Sequence, residues 1–122
     1  MQYTLMFYMS PDEFEARTHP DKQRAFWAGF LPYMKAIREA GILVSGAGLQ
    51  PPESATTVRV TDGRRLVQDG PYADTKEQLG GFAIIDVPDL DAALDWAARY
   101  PAGPLGVVEV RPILAPAGSP VS

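Results

Sequence analysis

The sequence predicts an α+β domain of ferredoxin-like topology, a split βαβ with a β-hairpin inserted between its halves. Three observations predict it. Strand and helix periodicities follow one another as strand, helix, strand and then again strand, helix, strand. An Asp62-Gly63 pair sits between two short strand-forming runs, the two-residue chemistry of a type I′ hairpin. Two of the strands are apolar on both faces, as strands of a sheet covered on both sides must be.

Residues 2–9 are aromatic and large apolar and stop at Ser10-Pro11-Asp12, which makes them the first strand. Tyr3, Leu5 and Phe7 lie on one face, and Thr4, Met6 and Tyr8 on the other. A polar connector follows, and His19-Pro20-Asp21 marks the start of a helix, because proline fixes its own φ and restricts the residue before it. Phe26, Phe30, Met34 and Ile37, with Trp27 and Leu31 beside them, repeat at helical spacing as far as Gly41, which suits the C-terminal cap. Pro32 falls inside this helix and predicts a kink near Gly29.

Residues 42–46 form a second strand, closed by glycine and by Pro51-Pro52. The hairpin pairs residues 56–61 with 64–68, and a buried strand follows at 82–87. Pro88-Asp89 caps a second long helix whose predicted apolar stripe is Leu90, Leu94, Ala97 and Ala98, ending near Pro101. Residues 106–111 are the last strand. The domain is predicted to span 1–114, with 115–122 a mobile, proline-containing tail. With both helices on one side of the sheet, the other side is bare. Its apolar side chains predict a second copy of the chain as cover, hence a homodimer joined sheet to sheet.

Composition excludes several functions. A chain of 122 residues is one domain by length and buries roughly two thirds of its unfolded surface without any staple. Cysteine is absent, which rules out disulfides and thiolate chemistry and fits a cytoplasmic location. The net charge of −4, with no basic run, argues against nucleic acid. No apolar run is long enough for a membrane span and no leader pattern opens the chain, so no membrane partner is expected. One histidine and no ligand-spaced carboxylates predict no bound metal. Gly46-Ala47-Gly48 follows a strand but leads to prolines rather than a helix, so no dinucleotide cofactor is expected either.

The segment Asp69-Gly70-Pro71-Tyr72-Ala73-Asp74-Thr75-Lys76-Glu77-Gln78-Leu79-Gly80-Gly81 gathers backbone-restricting residues around one lysine and several carboxylates. Together with Asp86-Val87-Pro88-Asp89-Leu90 and Val108-Glu109-Val110-Arg111-Pro112, it resembles the YCII-related family, in the branch named for a DGPF motif, with Tyr72 where that motif has phenylalanine. The resemblance covers nearly all of the chain. It implies a dimeric α/β barrel, two ferredoxin-like sheets packed face to face. It also implies a superfamily containing muconolactone isomerase-like and dehydrochlorinase-like enzymes, and a branch associated with extracytoplasmic-function sigma factors. A sister branch uses a histidine on its first helix with an aspartate. Gly29 aligns with that histidine, so the dyad is not carried over.

Two functions follow as expectations. One is a cofactor-independent lyase or isomerase acting on a small organic acid or lactone. In it Asp69 or Glu77 is acid or base, His19 is the sole imidazole available, and Lys76 and Tyr72 bind substrate. The other is a non-catalytic module that senses a small molecule or binds a protein partner linked to sigma-factor regulation. The bland reading of residues 69–78 is an ordered turn whose polar groups bond to its own backbone. Glu109 and Arg111 share a face of the last strand, either at the dimer interface or in the space between sheets.

Overall fold

The computed structural model describes residues 1–101 and 106–115. A first strand β1 (Gln2–Met9) leads into a short helix α1 (Pro11–Ala16) and then a long one, α2 (Gln23–Glu39). Next come β2 (Leu43–Gly48), a single 3₁₀ turn over Pro52–Ser54, and the hairpin strands β3 (Thr56–Thr61) and β4 (Arg64–Asp69). The chain closes with β5 (Gln78–Asp86), α3 (Leu90–Ala98) and β6 (Val107–Pro112). Four strands form one sheet in the order β2-β5-β1-β6, all neighbours antiparallel, while β3 and β4 pair only with each other. With the hairpin set aside this is the ferredoxin-like order. The predicted tail beyond Ala115 lies outside the described residues.

β1 alternates as the pleat requires. Tyr3, Leu5, Phe7 and Met9 are buried beneath the helices with Tyr33, Ile37, Ala83, Ile85 and Ala93. Thr4, Met6 and Tyr8 are half-buried on the opposite face, across from Ile84, Phe82 and Leu79. The hairpin turn has positive φ at both Asp62 (52°) and Gly63 (73°), as a type I′ turn demands.

Several expectations change. The connector after β1 is a helix, because Ser10 and Glu13 form a reciprocal capping box and Pro11 occupies the first turn, where its missing N–H costs nothing. His19-Pro20-Asp21 does stand at the entry of α2: the Asp21 N–H donates to His19 Nδ1, and the helix begins at Gln23. The stripe of α3 is rotated. Ala93 is buried and Ala92, Trp96 and Ala97 pack on the core, while Leu90 and Leu94 are 46% and 45% exposed. On α2, likewise, Tyr33 and Ile37 are buried and Leu31 is not. Pro32 lies within an unbroken helix, on its exposed side with Ala28, so water reaches the carbonyl that proline leaves without a donor.

Tyr33 donates from its hydroxyl to the Trp96 carbonyl at 2.8 Å, tying α2 to α3. Burial, with the neighbouring Tyr100, raises its pKa far above the ordinary phenol value. Tyr100 is pushed up to about 12, chiefly by burial and also by Glu13, with Arg17 opposing. Both groups stay neutral in either state below the ordinary value of 10.0, so their contribution to stability is constant there. Above it the unfolded chain ionises first and stability falls. Urea midpoints measured against pH are expected to drop from pH 10 upward, and less steeply in Tyr33→Phe.

Candidate functional site

The site begins with an irregularity in the sheet. Phe7 pairs with Gly81 and Tyr8 with Leu79, so Gly80 is an extra residue in β5, a β-bulge. Its carbonyl is turned to other partners. It accepts the Leu49 N–H at 2.9 Å and Arg17 Nη1 at 3.2 Å. The site is crowded, since a Cβ would lie 2.5 Å from Met9 Sδ and the methionine would have to move.

Beside this bulge, between α2 and the β2 edge of the sheet, is a cavity of about 370 Å³. Its roof is Phe26, Trp27, Phe30 and Met34 from α2, and its floor is Gly46, Gly48, Gly80 and Gly81 with Phe7 and Met9. The rings are mutually oriented: Phe26 and Phe30 stack at 6.0 Å, and Trp27 stands edge-on to both, at 5.0 and 5.7 Å. The floor is glycine for two reasons. At Gly46 a Cβ would sit 2.7 Å from the Phe82 carbonyl, whereas at Gly48 it would meet nothing within 4 Å and would project into open space. The cavity exists because these strands carry no side chains there.

Two arginines reach the lining, Arg17 from the end of α1 and Arg38 from the last turn of α2. Arg38 is exposed and Arg17 half-buried. Trp27 Nε1 donates to the Arg17 carbonyl at 2.9 Å, fixing α1 against α2, and the guanidinium sits 4.8 Å from the centre of the Phe14 ring. Burial lowers its pKa from the ordinary value, Tyr100 opposing, but an arginine remains charged throughout the working range.

The residues singled out from sequence occupy other ground. Lys76, with Asp74 and Thr75, borders a second groove of about 550 Å³ against Phe14, Glu15 and four prolines. Asp69 is exposed at the end of β4, and Tyr72 is 76% exposed with Arg59 over its ring at 5.2 Å. Glu77 is half-buried, and its carbonyl accepts from Thr75 Oγ1 at 2.6 Å. Gln78 Nε2 donates to the carbonyls of Ala73 and Thr75, so this turn does bond to its own backbone, through Thr75 and Gln78. His19 lies 3.9 Å from Glu15 on the outer side of the connector. None of Asp69, Tyr72, Glu77 and His19 lines either cavity. Glu109 and Arg111 pair with each other at 3.0 Å. Sequence reasoning missed Arg17. The signal was the Ser10-to-Glu13 capping box, which announces a helix whose C-terminal end must lie about two turns on.

The family model for the YCII-related domain matches residues 1–116. The chain belongs to that family. A relative, an uncharacterised protein of Rhizobium meliloti (strain 1021), is 49% identical over 77 residues, and the alignment spans 62% of this chain and 62% of that protein's length. Among solved structures, 5-chloro-2-hydroxyhydroquinone dehydrochlorinase from Burkholderia phenoliruptrix AC1100, in complex with 2,5-dihydroxybenzoquinone, is similar with a TM-score of 0.46 and 15% identity. That likeness covers 89% of this chain and 91% of that one. Among the described residues no helix is long and apolar enough to cross a membrane.

Proposed function

We propose that this YCII-related protein is a small-molecule-binding module, acting as a homodimer, and that its ligand is a flat, largely apolar molecule held beneath α2. The observation that carries this reading is the lining itself. Aromatic side chains stand over a glycine floor in a space of about 370 Å³, a volume in the range of small-molecule pockets. Aromatic faces and edges reward a planar guest, and glycines let it approach the backbone.

Among the described residues the same lining holds no aspartate, glutamate, histidine, lysine or tyrosine. It has the means to bind and orient but no group to take a proton, which favours sensing over lyase or isomerase chemistry. A protein partner that reads the occupied state, of the kind implied by the sigma-factor-associated branch, fits this role. The enzymatic reading rests on the second groove, where Lys76 and Asp74 supply a cation and a carboxylate.

Thermal unfolding against a panel of planar aromatic and alicyclic compounds separates the two. A ligand at a hundred times its Kd adds about 2.7 kcal/mol. Gly48→Leu fills open space without disturbing the backbone, so it is expected to fold and to lose the ligand-induced shift, while Lys76→Ala keeps it. The opposite pattern would move the site to the loop groove and restore the lyase or isomerase reading.

A further inference from the structure

We infer that Arg17 makes the cavity selective for aromatic anions, carboxylates above all, by supplying the only half-buried positive charge in its lining. The inference rests on the reading of that cavity as a ligand site and adds the class of ligand.

Among the described residues the charge on Arg17 has no carboxylate to balance it. Met1, His19, Lys22, Lys35 and Arg111 each lie within 4.0 Å of a carboxylate, and most of those contacts are exposed to water. Among the described residues Arg17 and seven other lysines and arginines have no such partner, but those seven are all exposed, whereas Arg17 is half-buried and lines the cavity. A cation withdrawn from water without a counter-ion is costly, and folds that keep one usually give it a partner. Here the protein partners are a single carbonyl, that of Gly80, and the face of Phe14. A guanidinium has five N–H donors. Nη1 is engaged by the Gly80 carbonyl of the bulge, and Arg17 lines a largely apolar cavity.

The arrangement is also rigid. The Arg17 backbone is held by Trp27, its side chain by Gly80, and both partners are themselves parts of the lining. A planar carboxylate on a planar ring meets both requirements at once, the ring between the α2 aromatics and the floor, the carboxylate on the fork. Arg38, exposed in the last turn of α2, adds positive potential where a ligand arrives but is screened by water.

Calorimetric titration with 2-naphthoate and its neutral counterpart 2-naphthylmethanol tests this on the full chain. The expected result is that naphthoate binds at least tenfold more tightly than the alcohol. Arg17→Gln should bring naphthoate down to the affinity of the alcohol and leave the alcohol unchanged, and Arg17→Lys should recover only part, because an ammonium cannot offer the planar fork. Equal affinities for the two ligands in the unaltered protein, both abolished by Gly48→Leu, would overturn the anion inference while leaving the cavity reading intact. No binding of either ligand would overturn both. The comparison of ligands in the unaltered protein does not depend on any variant folding.

Discussion

Ile37→Ala is expected to destabilise the fold by about 2–5 kcal/mol, the range for removing a large aliphatic side chain from a core that cannot collapse around the loss. Ile37 has no exposed surface and is among the three largest fully buried side chains, with Leu5 and Ile85. It belongs to the cluster in which Tyr33 and the buried face of β1 meet. The informative comparison is Leu31→Ala on the same helix. Leu31 is 54% exposed, so its loss should cost less than about 0.5 kcal/mol, as at other exposed surface positions. Chemical denaturation of the two variants reads the difference directly. Similar losses at both positions would mean that the outer side of α2 is covered in solution.

Ile84→Glu is expected to convert a dimer to monomers. Ile84 is half-buried on the side of the sheet away from the helices, opposite Thr4 and beside the pair of Met6 and Phe82. In a face-to-face dimer the new carboxylate would be buried without a partner on both sides of the two-fold axis. An uncompensated buried charge costs about 3–5 kcal/mol, which is roughly two to four orders of magnitude in the dimer Kd. Sedimentation equilibrium should give a two-chain mass for the unaltered protein and a one-chain mass for the variant at the same micromolar concentration. A one-chain mass for both would assign the open face to a different partner and remove the homodimer from the proposal.

The isolated hairpin is consistent with a surface awaiting company. Val58, Val60 and Val67 share one of its faces and are 54%, 71% and 57% exposed. Two-stranded ribbons are marginal on their own. The ribbon is closed at its base by bonds between its own two ends, where the Gly70 N–H donates to the Ala55 carbonyl at 2.7 Å and Thr57 Oγ1 to the Gly70 carbonyl at 2.8 Å.

Much of the architecture was legible because it is local. The alternation of β1, the Asp62-Gly63 turn, the Asp89 cap of α3 and the glycine after α2 each depend on a few neighbouring residues, and the structure contains all of them. The split βαβ order then follows from the sequence of elements.

What the tertiary structure alone decided is which side of each helix meets the sheet, and what lies beneath it. Leu90 and Leu94 satisfy a helical stripe as well as Ala93 and Ala97 do, but close approach of α3 to the sheet admits the alanines and turns the leucines outward. The candidate site has the same origin. The conspicuous loop carries Asp69, Tyr72, Asp74 and Lys76 to the outside, whereas the Gly80-Gly81 pair that ends the same stretch enters the sheet as a bulge and floor. Arg17, 63 positions before Gly80, meets it only because β1 and β5 are neighbours and α1 folds back at the end of β1. A sequence records spacing along one strand or helix; a cavity is made by the side chains that are absent from several, and that absence has no local signature.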